Sequence, residues 1–273
     1  MLNSFSRRLF RAMARIFPQC GMVSQAVAYN MFLSFFAILL AALGTTRLYL
    51  EGKRGPEVIY RLQAILPPGS WELVSSFVFR PEVSAWYSTL LGWVGTLFVG
   101  LQTMKLMMEG LYIINGSRPT QSFLGRQFRA LLLFAVAAAT WFVAVALSVI
   151  GGSLRQLLFD RAGDYPLIRF FLSSASLLVA MILVMLVLAL MYRVAQPNVP
   201  TWISTLPGAA IATVLWWGTN VLFGVYVRKT QYGPVYGGLA AVIGLLGWME
   251  ISVMLAFLGA AWNVEGADRS LQQ

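Results

Sequence analysis

Residues 226–238 read YVRKTQYGPVYGG, a short polar and aromatic stretch between two long apolar runs at 204–225 and 239–262. Its only charges are Arg228 and Lys229, flanked by Tyr226, Tyr232 and Tyr236 and followed by Gly233, Pro234, Gly237 and Gly238. Proline cannot continue a helix, and glycine permits tight backbone geometry. Tyrosine favours the membrane–water boundary, where its ring is half dry and its hydroxyl wet. Each flanking run exceeds the roughly 20 residues needed to cross a bilayer. The stretch therefore reads as a surface turn between two spanning helices.

Composition supports a membrane protein throughout. The chain is 59% hydrophobic and 11% charged, with mean hydropathy +0.73, whereas soluble domains carry about 25% charged residues. The formal net charge of +10 would suggest nucleic acid in a soluble protein. Here most basic residues fall in loops or near span ends, as anchoring and topology require, and no nucleic-acid partner is expected. There is no histidine, and Cys20 is the one cysteine. An internal disulfide and a His- or Cys-based metal site are thus both excluded.

Outward from the opening stretch, the pattern predicts an all-α fold: one membrane domain over residues 1–273 with six spans at about 28–48, 86–112, 130–151, 170–192, 204–225 and 239–262. Ahead of them, residues 1–25 contain a basic amphipathic helix. Phe5, Leu9, Met13 and Ile16 recur at helical spacing, and Arg8, Arg11 and Arg15, joined by Arg7, form an opposing stripe. This predicts a retained helix lying on an anionic membrane face. The first loop, 49–85, holds two candidate interfacial helices separated by Pro67 and Pro68. A polar loop is expected around Arg155, Asp160, Arg161, Asp164 and Arg169. Six spans place both termini on one side, and the concentrated N-terminal arginines favour the cytoplasm.

Charges within spans are costly and point to function. The second span carries Gln102, Lys105, Glu109 and Tyr112 on one helical stripe. Lys105 and Glu109, four apart, are placed to pair. The stripe suits contact with a headgroup, an ion or a proton; an ion pair near the membrane boundary accounts for it equally well. Glu250, in the sixth span, has no basic residue within a turn. It needs a partner on another helix, a cavity, or a proton, and Asn220 and Asn30 are candidate partners. Arg193, Arg228 and Lys229 are placed to meet lipid phosphates at the surfaces. The close spacing of Gly208 and Ala212 suits tight helix packing. No phosphate-binding GxxxxGK[ST] and no Gly-x-Ser-x-Gly is present, and no catalytic set, cofactor or metal is expected.

Several motifs together resemble the YihY/BrkB family of bacterial inner-membrane proteins, formerly labelled ribonuclease BN. AVAYNMFLSFF at 26–36 is similar to the family's AxAYYxxLSLFP, with Asn30 and Ala37 in place of the usual Tyr and Pro. Leu66-Pro67 matches the LP of its first loop. Leu111 with Arg118-Pro119 loosely follows ALNxIY…RP, with Tyr112 where Asn is usual. The most specific block comprises Tyr192, Arg193, Pro197, Asn198, Trp202, Pro207, Gly208, Ala209, Phe223, Tyr226, Tyr232, Tyr236, Gly237, Trp248, Leu258, Gly259, Ala260 and Asn263. The resemblance implies six spans in a bacterial inner membrane with both termini cytoplasmic.

The expected function is transport or flipping of a lipid or other amphiphile, with membrane lipids as partners. A homo-oligomer or an envelope protein partner stays open. The alternative is a non-transporting scaffold for envelope assembly. A ribonuclease ranks last, because the sequence supplies no convincing metal cluster or acid–base pair for phosphodiester cleavage. Ala261 stands where the family usually has Glu, and Glu250 lies three helical turns earlier on the same face. Glu250 is therefore expected to substitute for that carboxylate. Exchanging the two (Glu250→Ala with Ala261→Glu) should retain function, and loss of function in a well-folded double variant counts against the substitution.

Overall fold

The computed structural model describes residues 2–17, 19–49, 84–117, 122–162, 166–195, 200–229 and 237–270, with side chains over 6–17, 19–48, 84–117, 122–143, 177–195, 200–226 and 242–267. Every regular element among them is a helix: α1 (Leu2–Ile16), α2 (Gln19–Tyr49), α3 (Ala85–Ile114), α4 (Phe123–Ala162), α5 (Pro166–Val194), α6 (Trp202–Lys229) and α7 (Gly237–Ser270). Six are long and apolar enough to cross a membrane, all but α1. Large side chains such as Trp141, Phe142, Leu178, Ile182, Leu222 and Ile243 lie exposed on them, as suits a lipid rather than an aqueous surround.

Local chemistry sets the helix ends. The α1 helix closes with Phe17 N–H donating to Met13 O just before Pro18, which has no amide proton to give. The α3 helix ends on Gly116, whose φ of +61° is the left-handed geometry that glycine adopts without penalty. There Ser117 N–H reaches Tyr112 O and Gly116 N–H reaches Ile113 O, both at 3.1 Å, which is the Schellman arrangement. Ser122 caps α4, its hydroxyl accepting from Gly125 N–H at 3.3 Å.

The helices run beyond the expected spans. The segment expected to be a polar loop is helical through Ala162, and α5 begins at Pro166. Hydropathy registers only the apolar part of a helix, whereas residues such as Arg155, Leu157 and Gln156 are good helix formers outside a membrane too. At the opening stretch, α6 continues through Lys229 and α7 starts at Gly237. The two interfacial helices expected at 49–85, with Tyr232 and Tyr236, lie outside the described residues.

The chain divides into two compact units, Tyr29–Thr103 and Met1–Ala28 with Met104–Gln273. In the first, α2 and α3 approach closely through small residues. A Cβ on Gly92 would strike the backbone of Ala41, and one on Gly44 would lie 2.6 Å from Thr89 N. Thr89 and Thr96 return their hydroxyls to the carbonyls of Ala85 and Gly92, each at 2.8 Å. This satisfies the polar groups without water. Trp93 Nε1 donates to Thr45 Oγ1 at 3.3 Å.

In the second unit, α6 and α7 run antiparallel. A Cβ on Gly208 would strike the carbonyl of Gly259, and one on Gly259 would come 2.8 Å from Ala212 Cβ. The expected Gly208–Ala212 pair is therefore used, with Gly259 as its counterpart. Further along, Trp216 Nε1 donates to Ser252 Oγ at 3.1 Å and Trp248 Nε1 to Asn220 Oδ1 at 2.8 Å. Phe223 stacks between Trp248 and Tyr226. The α7 helix also meets α3, where the Phe257 ring occupies the space that a side chain at Gly110 would need.

Candidate functional site

Polar side chains of the second unit gather where α1, the end of α3, the start of α4, the end of α5, the start of α6 and the end of α7 come together. Their first cluster surrounds Glu265. Arg15 reaches it through a guanidinium nitrogen at 3.0 Å from Oε1, and Arg15 Nε donates to Ile114 O at 3.1 Å. That carbonyl belongs to the last turn of α3, where helix carbonyls lack intrahelical donors. Arg11 approaches the other carboxylate oxygen at 3.8 Å. One turn earlier on α1, Arg8 donates to Trp262 O at 2.8 Å and lies over the Trp262 ring, 4.3 Å from its centroid. A side chain on Gly266 would collide with this guanidinium.

Part of the arginine stripe expected on the membrane face has protein acceptors instead. Arg8 and Arg15 turn inward with buried Ala12 and Ile16, at i, i+4, i+7 and i+8. The apolar stripe is likewise split, because Met13 faces outward with Phe10 and Phe17. Carboxylate and carbonyl acceptors on α3 and α7 engage Arg8, Arg11 and Arg15, three of the four arginines that the helix pattern alone assigned to lipid.

The second cluster lies on α3 and α4. Arg126 forms a 2.8 Å charge-assisted bond to Glu109 Oε2. No ion pair joins Lys105 to Glu109 among the described residues, in contrast to the pairing expected from their spacing. A guanidinium on the next helix offers a planar fork that suits a carboxylate better than the ammonium one turn away. Lys105 is half-buried and makes no ion pair within the described residues. Along the expected stripe Tyr112 is buried, Glu109 and Lys105 are half-buried and Gln102 is exposed.

The third cluster repairs a helix defect. Pro207 lies inside α6, where it has no N–H to donate and its ring disturbs the preceding turn. Asn263 on α7 fits the break: its Oδ1 accepts from Gly208 N–H at 2.7 Å, and its Nδ2 donates to Thr205 O at 3.0 Å. Nearby, the buried Tyr192 hydroxyl donates to Ala256 O at 2.6 Å, and Arg129 donates to Val194 O at 3.0 Å, capping α5.

The remaining expected site residues are dispersed. Asn220 accepts from Trp248 and makes no hydrogen bond to Glu250 among the described residues. Glu250 is half-buried on α7 with no hydrogen bond or ion pair among the described residues. Asn30 is half-buried in the other unit. Arg193 lies over the Trp202 ring, 4.4 Å from its centroid. Arg228 and Lys229 end α6, and their side chains lie outside the described set. No group of three His, Cys, Asp or Glu residues stands ready for a metal ion among the described residues.

Reading the sequence one helix at a time missed Arg126, Glu265 and the role of Asn263. Two signals pointed to Asn263: a polar residue one turn after Gly259, and a Pro-Gly pair within an apolar run, which leaves backbone groups needing a partner.

These features define a multi-pass helical membrane protein. The family described as Virulence factor BrkB matches residues 18–273, and the chain belongs to it. It is also similar to the "Putative ribonuclease-like protein YfkH" of Bacillus subtilis (strain 168), 24% identical over 242 residues that cover 88% of this chain and 87% of the relative. No solved structure matches.

Replacing Asn263 by Leu strands Gly208 N–H and removes the side-chain donor to Thr205 C=O. The expected loss is about 1–3 kcal/mol, read as a lower Tm of the purified protein. An unchanged Tm would show that the clip does not stabilise the fold.

Proposed function

We propose that this protein moves a lipid or other amphiphile across the bacterial inner membrane, with both termini in the cytoplasm. The observation that carries the reading is Lys105: a half-buried cation in a spanning helix, without an ion-pair partner among the described residues, one turn from the Glu109–Arg126 pair. A lysine at the centre of a spanning helix costs roughly 2.5–3.5 kcal/mol and less toward the helix end, where Lys105 lies; an anionic headgroup would offset that cost. Glu109 holds Arg126 beside Lys105, and Tyr112 lies one turn further along α3; Gln102 is a further candidate contact. Glu250, also without a described partner, is the candidate for proton coupling. Arg193, Arg228 and Lys229 serve as surface contacts for lipid phosphates.

A scaffold that holds an envelope assembly is the second reading. The many ties between α7 and its neighbours favour it, since they hold one end of the protein rigid. A ribonuclease activity, suggested by the name of the Bacillus relative, has the least support from the side chains, because the chain has no histidine and the described carboxylates are dispersed.

The test is movement of labelled phospholipid across proteoliposomes at matched insertion. Lys105→Ala/Glu109→Ala should slow movement at least about tenfold, equivalent to about 1.4 kcal/mol of lost headgroup stabilisation. Equal movement with wild type and the variant would remove α3 from the path. No movement with either would favour the scaffold.

A further inference from the structure

We propose that the outer face of α1 is a binding surface for anionic phospholipid, recruited by Arg7 and Arg11 and seated by Phe10, Met13 and Phe17. The four arginines differ in exposure, not in whether they have partners. Arg8 and Arg15 are engaged by Trp262, Ile114 and Glu265. Arg7 and Arg11 lie on the exposed side, and with Ser6 and Phe10 they line a shallow open depression. Arg7, Phe10 and Arg11 are neighbours on the helix surface at i, i+3 and i+4.

The apolar chemistry at this face identifies the occupant as a bilayer. Phe10 is 73% exposed and Phe17 60% exposed, with Met13 between them, so one side of α1 presents apolar rings bordered by guanidinium groups. That combination suits the headgroup–acyl boundary, where the rings enter the acyl region and the guanidiniums meet phosphate. Large apolar side chains are also exposed near the starts of α4 and α6. Phe123, Leu124 and Phe128 are exposed in the first turns of α4, as are Trp202 and Ile203 at the start of α6. Trp202 among them is the amphipathic aromatic type that collects at membrane–water boundaries.

Arg11 makes the surface more than a passive anchor. Its Nε lies 3.8 Å from Glu265, and its side chain is 52% exposed. It therefore stands between the carboxylate of α7 and any phosphate in the depression. Arg15, at 3.0 Å, holds Glu265 independently, so Arg11 is available to lipid without leaving the carboxylate unpaired. The inference does not depend on transport, because a scaffold would need the same anchoring.

Native mass spectrometry of the full chain in detergent tests the surface, with dioleoylphosphatidylglycerol and dioleoylphosphatidylcholine added at equal concentration. Wild type should retain the anionic lipid preferentially. Arg7→Gln/Arg11→Gln should retain about thirtyfold less of it, the order expected for two arginines near an anionic headgroup, with phosphatidylcholine unchanged. Arg7→Lys/Arg11→Lys should recover most of the binding, which separates charge from misfolding. Equal retention of the two lipids by wild type, or undiminished anionic lipid on the Gln variant, would overturn the proposal. So would a dimer in place of lipid adducts that the Gln variant abolishes, since this would assign the face to a second copy of the chain.

Discussion

Glu265 is the carboxylate on which the docking of α1 depends. Only 14% of its side chain is exposed, and a charge so placed needs partners that stay with it. Arg15 and Arg11 supply them from the other end of the chain. In doing so Arg15 also occupies the last carbonyl of α3, so one guanidinium joins α1, α3 and α7. An exposed ion pair is worth about 0–1 kcal/mol, and breaking a buried one costs roughly 3–5 kcal/mol. A pair that is 30% and 14% exposed belongs between these limits.

The same demand for polar satisfaction explains the rest of the end of α7. Asn263 clips the backbone groups beside Pro207, Tyr192 donates to Ala256 O, and Arg8 rests on Trp262. Gly208, Gly259 and Gly266 contribute by absence, since a side chain at each would enter space already filled by Gly259, Gly208 or Arg8. Close approach and polar clips reinforce each other, because the Asn263 amide reaches α6 where the two backbones come close. Against this tied end, Lys105 and Glu250 are conspicuous as charged residues without a described ion pair, and the functional proposal is built on that contrast.

The helices were legible because length and hydropathy speak directly to a bilayer: α6 ends at Lys229 and α7 starts at Gly237, on either side of the Gly233-Pro234 pair that the sequence marks as a helix break. Helix beyond the apolar runs was not legible, as at Ala162, because polar helix leaves no hydropathy signal. The orientation of α1 was half legible. Its periodicity was plain, but which arginines turned inward depended on Glu265, about 250 residues away in sequence. The Lys105–Glu109 pairing failed for a related reason: the i, i+4 rule compares neighbours on one helix, while the better donor, Arg126, belongs to the next.

A double-mutant cycle on Arg15 and Glu265 tests the central claim most directly. Arg15→Gln, Glu265→Gln and the double variant would be compared by thermal unfolding of the purified full chain. Each single change should lower stability, and the double variant should lose less than the sum of the two single losses, by a coupling of about 0.5–3 kcal/mol. Strictly additive losses, or singles as stable as wild type, would show that the pair does not hold α1 to α7.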